Sequence, residues 1–156
     1  MSDVVPHTTL QAPIVIREML ASDAQQASEL SGELGYPASA EEIRQRLHEL
    51  RRASHAVYAA CLEGVVVGWI EVGIGHHLQS GAYGEIGGLI VSAACQGRGI
   101  GRRLVETAER WVATRGVSTL VVRSRITRAA AHDFYLGLSF ERLKTSAVFK
   151  KTIELP

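Results

Sequence analysis

Two spacings of hydrophobic residues divide the chain into predicted helices and strands. Apolar residues recur every three or four positions in several segments, which predicts amphipathic helices. Capping boxes that begin at Ser22 and Ser39, and a cap at Thr127, predict where three of these helices begin. Apolar or alternating runs bounded by glycine, proline or polar residues predict strands. The predicted helices cover 22–34, 39–50, 100–115 and 127–135; the predicted strands cover 14–16, 55–62, 65–72, 83–91, 118–122, 140–143 and 146–153.

The order of these elements predicts an α/β fold with a mixed sheet. The elements follow one another as βααβββαβαββ, and helix 100–115 joins two apolar strands, 83–91 and 118–122. A strand–helix–strand connection makes its strands parallel neighbours, whereas strands joined by short turns pair antiparallel. We therefore expect a central, mostly antiparallel sheet flanked by helices. Gly87 and Gly88 predict a bulge or a close backbone approach inside strand 83–91.

The most informative segment is the glycine-rich turn before helix 100–115. It consists of Gln96, Gly97, Arg98, Gly99, Ile100 and Gly101. Its glycines let backbone N–H groups converge without interference from side chains. The N-terminus of the following helix adds unpaired N–H donors and a partial positive charge. The turn is therefore a candidate site for phosphate groups.

Charged side chains beside this turn favour the same kind of ligand. Arg98, Arg102 and Arg103 lie in or next to the first helical turn, and no Asp or Glu is near. Cations at a helix N-terminus oppose the helix dipole and destabilise the helix by about 0.3–1 kcal/mol each. When a polyanion is bound there, the same cations become stabilising. Two familiar phosphate loops are excluded, because the Walker loop needs a lysine and the dinucleotide fingerprint needs a glycine at the position of Arg102.

The same residues carry a resemblance to a known enzyme family. Gln96, Gly99 and Gly101 match the pattern Gln/Arg-x-x-Gly-x-Gly/Ala, and a Phe-Tyr pair follows at 134–135. In these motifs and in its element order, over about residues 14–153, the chain resembles the GNAT superfamily of acyl-CoA-dependent N-acetyltransferases, in outline its small bacterial members.

The resemblance implies a GNAT fold in which the two parallel strands splay apart, with acetyl-CoA as the co-substrate. The glycine-rich turn then holds the CoA pyrophosphate on backbone amides, and the pantetheine arm pairs with the preceding strand across the gap. Gly87 and Gly88 are a reasonable origin for the splay. The implied contacts are Leu89, Ile90, Val91, Gln96, Gly97, Arg98, Gly99, Ile100, Gly101 and Arg102.

The resemblance also indicates catalytic residues. Glu85 lies eleven residues before the glycine-rich turn, a spacing similar to that of the general-base glutamate in the histone-acetylating branch of the family. His76 and His77, on a predicted loop at 73–82, are the alternatives for this base. Tyr135 is the expected hydrogen-bond donor to the leaving sulfur. Each assignment has an alternative without a catalytic role: Glu85 as a solvent-facing residue at the end of its strand, and Tyr135 as an aromatic residue of the core.

Two positions depart from the usual pattern of the family. Ser139 stands where the family often has the glycine of Leu-Gly-Phe, and Arg128 stands where it often has an asparagine. Both positions bear on local contacts with CoA rather than on the fold.

Composition and charge narrow the range of partners. The chain has 156 residues, and its 17 basic and 16 acidic side chains give a net charge of +1. This balance does not support a general nucleic-acid or membrane-surface binder. Cys61 and Cys95 have no neighbouring Cys or His at zinc spacing, so we expect two buried, reduced thiols and no metal. No signal peptide or membrane span is recognisable, and a cytoplasmic location is expected.

We expect a flexible leader over residues 1–13 and a single acetyltransferase domain over 14–156. The residues expected to line the acceptor side are Glu33, Tyr36, Trp69, Glu71, His76, His77 and Tyr83. These acidic and aromatic side chains suit a small cationic amine of the aminosugar or polyamine type. The alternatives are a protein lysine or N-terminal acetyltransferase and a non-catalytic acyl-CoA-binding sensor. A homodimer is compatible with the resemblance, although the sequence shows no dimer face.

Overall fold

The computed structural model describes residues 12–156, so residues 1–11 of the predicted leader lie outside the described part of the chain. The chain divides into two compact units, one ending at Val122 and one covering Arg123–Pro156. The prediction of a single domain over 14–156 stays a prediction.

The first unit is built on a five-stranded sheet with the order β1-β2-β3-β4-β5. Its strands are β1 (Ile14–Glu18), β2 (His55–Leu62), β3 (Val65–His77), β4 (Gly81–Val91) and β5 (Leu120–Val122). All neighbouring strands pair antiparallel except β4 and β5, which are parallel. The mixed, mostly antiparallel sheet predicted from the element order is therefore confirmed.

Three helices of the first unit cover the two faces of this sheet. They are α1 (Ala24–Glu33), α2 (Ala40–Arg52) and α3 (Ile100–Ala113). On one face, the α1/α2 face, a single core cluster joins the helices to the strands: Met19, Ala27, Leu47, Val57, Ala59, Cys61 and Val66, with Ile43, Leu50 and Trp69 packed against it. On the other, the α3 face, the buried residues of the helix are Ile100, Leu104, Val105, Ala108, Trp111 and Val112.

The two N-terminal helices begin in different ways. Ser39 and Glu42 form the predicted capping box of α2, in which Ser39 Oγ accepts from the Glu42 N–H at 3.1 Å and Glu42 Oε2 accepts from the Ser39 N–H at 2.8 Å. The predicted cap of α1 at Ser22 is wrong, because a 3₁₀ turn at Ala21–Asp23 precedes that helix. Asp23 instead accepts the Leu20 N–H at 2.7 Å.

Asp23 also forms an ion pair with Arg17 of β1. Its two carboxylate oxygens accept from the Arg17 guanidinium at 2.7 and 2.9 Å. The hydrogen bond from Arg17 lowers the pKa of this carboxyl below its usual value. The pair ties the start of α1 to the first strand.

The β3–β4 hairpin is longer than the sequence predicts. The expected loop over 73–82 is wrong, because β3 continues to His77 and β4 begins at Gly81. Gly73 and Gly75 have weak strand propensity, which is why this part of the sequence resembles a loop. The extended hairpin keeps them because the rings of His55 and Tyr83 occupy the space above them.

The second unit contains α4 (Ala129–Gly137). Its N-cap is Arg128, with no side-chain cap bond, so the predicted cap at Thr127 is wrong. The predicted strands 140–143 and 146–153 are also wrong, since no strand occurs within 123–156. The apolar and β-branched residues there have strand propensity, but a strand forms only where a second backbone supplies hydrogen bonds.

Candidate functional site

The glycine-rich turn presents open backbone at the start of α3. Gly97 and Gly99 adopt left-handed conformations with φ of 75° and 76°, and nothing lies within 4 Å of the position a Cβ would take on either. Gly99 is the N-cap of α3, and its carbonyl accepts from the Arg103 N–H at 3.1 Å. The N–H groups of the first helical turn precede that bond and lack intrahelical acceptors. The turn therefore has the donors that an anion requires.

The three arginines near the turn have two different environments. Arg98 and Arg102 are exposed, and the first turn of α3 contains no acidic residue. The Arg103 guanidinium donates to the main-chain carbonyl of Ile14 at 2.7 Å. Arg98 and Arg102 are thus the cations that an anion at the turn would meet, whereas Arg103 fastens α3 to β1.

The parallel strands β4 and β5 pair over only a short stretch. β4 pairs with β5 only from Gly84 to Ile86. Residues 87–91 of β4 have no partner on that side among the described residues, while β3 pairs with the other edge of β4. The short pairing agrees with the predicted splay, and Leu89, Ile90 and Val91 lie on the unpaired edge of β4.

A bulge marks the place where β4 leaves β5. Val72 pairs with Ile86 and Glu71 pairs with Gly88, so Gly87 is an extra residue in β4. The bulge predicted from the two glycines is therefore confirmed. A Cβ on Gly87 would overlap Oε2 of Glu71.

Four large side chains lie over glycines of β3 and β4. A Cβ on Gly73 would overlap the His55 ring, and Cβ atoms on Gly75, Gly87 and Gly88 would meet Tyr83, Glu71 and Trp69. We call His55, Trp69, Glu71 and Tyr83 the glycine-backed cluster. The strand register places all four on the α1/α2 face, because directly opposed residues of neighbouring strands share a face.

Within the cluster, His55 and Glu71 form a close pair. His55 Nδ1 and Glu71 Oε1 are 2.6 Å apart, and the two side chains are 31 % and 19 % exposed. Sequence reasoning did not identify His55 as a functional residue. The available signal was indirect: glycines inside strands indicate that something bulky approaches the backbone.

The sheet separates one of the three candidate bases from the other two. Glu85 pairs with Gly73 and so lies on the face of the glycine-backed cluster. His77 lies on that face too, with its ring stacked on Tyr83 at a centroid distance of 4.9 Å. His76 pairs with Ala82, one position out of phase, and therefore lies on the opposite face. Of the two histidines, only His77 shares a face with Glu85.

The other expected acceptor-side residues lie near the end of α1. Glu33 is its last residue and Tyr36 follows it, and both side chains are substantially or fully exposed. Trp69, Glu71 and Tyr83 are on the sheet face itself. The sheet residues, rather than the helix end, therefore form the compact group.

Tyr135 lies on α4 in the second unit. Its ring makes edge-on contacts with Phe134 and Phe140, at centroid distances of 5.1 and 5.4 Å. Burial raises the pKa of the phenol above its usual value, while Arg128 acts in the opposite direction. The phenol therefore stays protonated, as a hydrogen-bond donor must, at neutral and mildly alkaline pH.

Cys61 and Cys95 are buried, and neither forms a disulfide. Burial raises the pKa of the Cys61 thiol. Over residues 12–156, no group of three or more His, Cys, Asp or Glu side chains is placed to hold a metal ion. No helix in the same part of the chain is long and apolar enough to cross a membrane.

Comparison with known proteins agrees with this geometry. The model of the acetyltransferase (GNAT) family matches residues 18–140. A curated relative, the aminoglycoside N(6')-acetyltransferase type 1 of Stenotrophomonas maltophilia, is 28% identical over 144 residues, covering 89% of this chain and 94% of the relative.

Solved structures share the fold at lower identity. A crystallised aminoglycoside N-acetyltransferase in complex with CoA superposes with a TM-score of 0.82 at 19% identity, covering 96% of this chain and 100% of that chain. Glucosamine-6-phosphate N-acetyltransferase from Arabidopsis thaliana superposes with a TM-score of 0.71 at 22% identity, covering 88% of this chain and 99% of that chain. With a family match that runs from β1 through α4, this chain belongs to the GNAT family and is an N-acetyltransferase.

Proposed function

We propose that this chain transfers the acetyl group of acetyl-CoA directly to a primary amine of a small aminosugar- or polyamine-like molecule. The observation that carries the proposal is the open glycine-rich turn beside the unpaired edge of β4. It combines anion-binding backbone with a gap that accepts an extended chain.

The residues present fit the co-substrate. Gln96, Gly97, Gly99, Ile100 and Gly101 supply the backbone around a diphosphate, and the open space at both left-handed glycines leaves room for it. The exposed guanidinium groups of Arg98 and Arg102 supply countercharge. Leu89, Ile90 and Val91 offer a strand edge for the amide groups of the pantetheine arm.

The transfer needs one proton acceptor and one hydrogen-bond donor. Acetyl-CoA supplies an activated thioester. The amine nitrogen forms a bond to the acetyl carbon as the carbon–sulfur bond breaks, the amine gives up a proton, and CoA leaves as a thiolate that then takes up a proton from water. For an amine of pKa near 10.4, reaching the neutral form at pH 7 costs about 4.6 kcal/mol. Glu85 accepts the amine proton, and the Tyr135 phenol donates a hydrogen bond to the sulfur as charge develops there.

Two observations favour a small cationic acceptor. The face that carries Glu85 also carries Glu71, Trp69 and Tyr83, which are anionic or aromatic groups suited to ammonium ions. The curated relative is by its name an aminoglycoside N(6')-acetyltransferase. The acceptor proposed here is an aminosugar of that class, with a polyamine as the simpler form of the same chemistry.

The experiment is release of free CoA from acetyl-CoA over an amine panel. The panel contains neamine, glucosamine, spermidine and a lysine-containing peptide. Fastest turnover with neamine supports the proposal. Fastest turnover with the peptide would show that the acceptor is a protein lysine. Binding of acetyl-CoA without release of CoA for any amine of the panel would show that the chain is a non-catalytic sensor module.

A further inference from the structure

We propose that Glu71, held in place by His55, binds a second positively charged amino group of the acceptor, distinct from the amine that is acetylated. The inference rests on the proposed function and concerns the choice of acceptor. His55 acts through Glu71 and is a positioning residue.

The two oxygens of Glu71 have different environments. Oε1 is 2.6 Å from His55 Nδ1, and because an ionised carboxylate has no proton to give, the ring nitrogen donates this hydrogen bond. Oε2 lies over Gly87, where it is the nearest atom to the position that a Cβ would take. One oxygen is therefore held by the imidazole while the other lies over the bulge.

The bulge places this second oxygen where an acceptor would enter. Gly87 is the first residue of β4 without a β5 partner, next to the edge at Leu89 and two residues from Glu85. Glu71 is 19 % exposed, so solute reaches it, but most of its surface is shielded from water. A shielded carboxylate with a fixed orientation binds an ammonium group more strongly than an exposed one does.

The chemistry of the transfer separates the roles of the two carboxylates. The reacting amine must lose its proton, and a neighbouring carboxylate that only holds positive charge opposes that loss. Glu85 serves the reacting amine as the proton acceptor. Glu71, oriented by His55, fits an ammonium group that stays charged throughout, so it selects acceptors with more than one amino group.

The first test compares neamine, which carries several amino groups, with glucosamine, which carries one. Glu71→Gln is expected to raise the KM for neamine about 10- to 100-fold. The KM for glucosamine should rise much less than the KM for neamine, because glucosamine has no second amino group to lose a partner. An unchanged KM for neamine, or an equal rise for glucosamine, overturns the proposal.

A second variant moves the carboxylate without removing its charge. Gly87→Ala introduces a methyl group that overlaps Oε2 of Glu71, so it is expected to raise the KM for neamine in the same way. Gly32→Ala is the matched control, because nothing lies within 4 Å of the added methyl group on that exposed helix residue. Parent-like neamine kinetics in Gly87→Ala count against the proposal.

The role of His55 is tested by replacement with and without a donor. His55→Ala should raise the KM for neamine about 10-fold, the lower end of the cost of one lost hydrogen bond to a charged group. His55→Gln, whose side-chain amide can donate to Glu71, should restore part of the loss. Equal effects of the two variants on neamine KM contradict the positioning role, and thermal unfolding midpoints check that both variants fold.

Calorimetry separates failure of this inference from failure of the proposed function. Neamine is titrated into the parent and into Glu71→Gln, each saturated with CoA. Loss of neamine affinity in the variant supports the role of Glu71 even if no amine is acetylated, an outcome that defeats only the proposed function. Equal affinity, or no neamine binding by the parent, overturns the role of Glu71.

Discussion

Arg103 on α3 reaches back 89 residues to donate a hydrogen bond to the Ile14 carbonyl of β1. Its neighbour Arg102 is exposed beside the glycine-rich turn. The two adjacent arginines have different surroundings because successive side chains of a helix point about 100° apart. One guanidinium supports the fold and the other is positioned for an anion.

Replacing Arg102 should therefore affect CoA affinity, whereas replacing Arg103 should affect stability. Arg102→Ala should weaken CoA binding about 10-fold through loss of a charge-assisted contact, with little change in stability. Arg103→Ala should lower the free energy of unfolding by about 1 kcal/mol and leave CoA affinity near the parent value. Calorimetric titration with CoA and urea unfolding measure the two quantities, and a reversed pattern would contradict the assignment.

Gly99→Asp should abolish CoA binding, with a loss of about 100-fold or more, because it places a carboxylate against the diphosphate. Gly64→Asp is the matched control. Gly64 has a φ of 79° and open space around its Cβ position, like Gly99, but lies in the β2–β3 turn. Both variants should lose similar stability, while only Gly99→Asp should lose affinity for CoA. Intact binding in Gly99→Asp would remove the turn from the site.

Tyr135→Phe should lower kcat about 100-fold, in the range expected for loss of a positioned proton donor, with unchanged CoA affinity. Because burial raises the pKa of Tyr135, the phenol should not limit the rate until above pH 10. Tyr58→Phe is the control, since burial also raises the pKa of that half-buried tyrosine on the α3 face. Equal kcat in Tyr135→Phe and the parent would exclude the donor role.

Glu85→Gln should lower kcat about 100-fold or more by removing the proton acceptor. The loss should be largest at low pH, where most of the amine is protonated and transfer depends most on a base. Glu63→Gln, in the exposed β2–β3 turn, controls for the lost charge. A pH–rate profile that keeps its shape and height in Glu85→Gln would transfer the role to another group.

Ser139→Gly should stabilise the protein by about 0.5–1 kcal/mol. Ser139 follows α4 with a φ of 68°, a left-handed conformation that glycine adopts without strain. Ser124→Gly, at an exposed position without a positive φ, should give no gain. Urea unfolding measures both, and equal effects would show that the conformation of Ser139 is not strained.

Features set by neighbouring residues could be predicted from the sequence. The left-handed glycines of the turn, the capping box at Ser39 and the bulge at Gly87 depend on a few consecutive side chains. The positive φ of Ser139 was not predicted in this way, because its departure from the family pattern was related to contacts with CoA.

Features set by residues distant in the sequence could not be predicted from it. The pair of His55 and Glu71 depends on the register between β2 and β3, and no local pattern encodes that register. The same holds for the length of the hairpin, because the rings of His55 and Tyr83, for which Gly73 and Gly75 leave room, come from neighbouring strands. The strands predicted at 140–143 and 146–153 were wrong because strand propensity alone does not form a strand without a second backbone to pair with.

The extra residue at Gly87 has a consequence for the rest of β4. Side chains of a strand alternate between faces, so Glu85 and Ile90, five positions apart, would lie on opposite faces of a regular strand. The bulge places both on the α1/α2 face. Deleting one glycine would exchange inside and outside for everything downstream of it, which makes the number of residues in this strand as necessary to the enzyme as their identity.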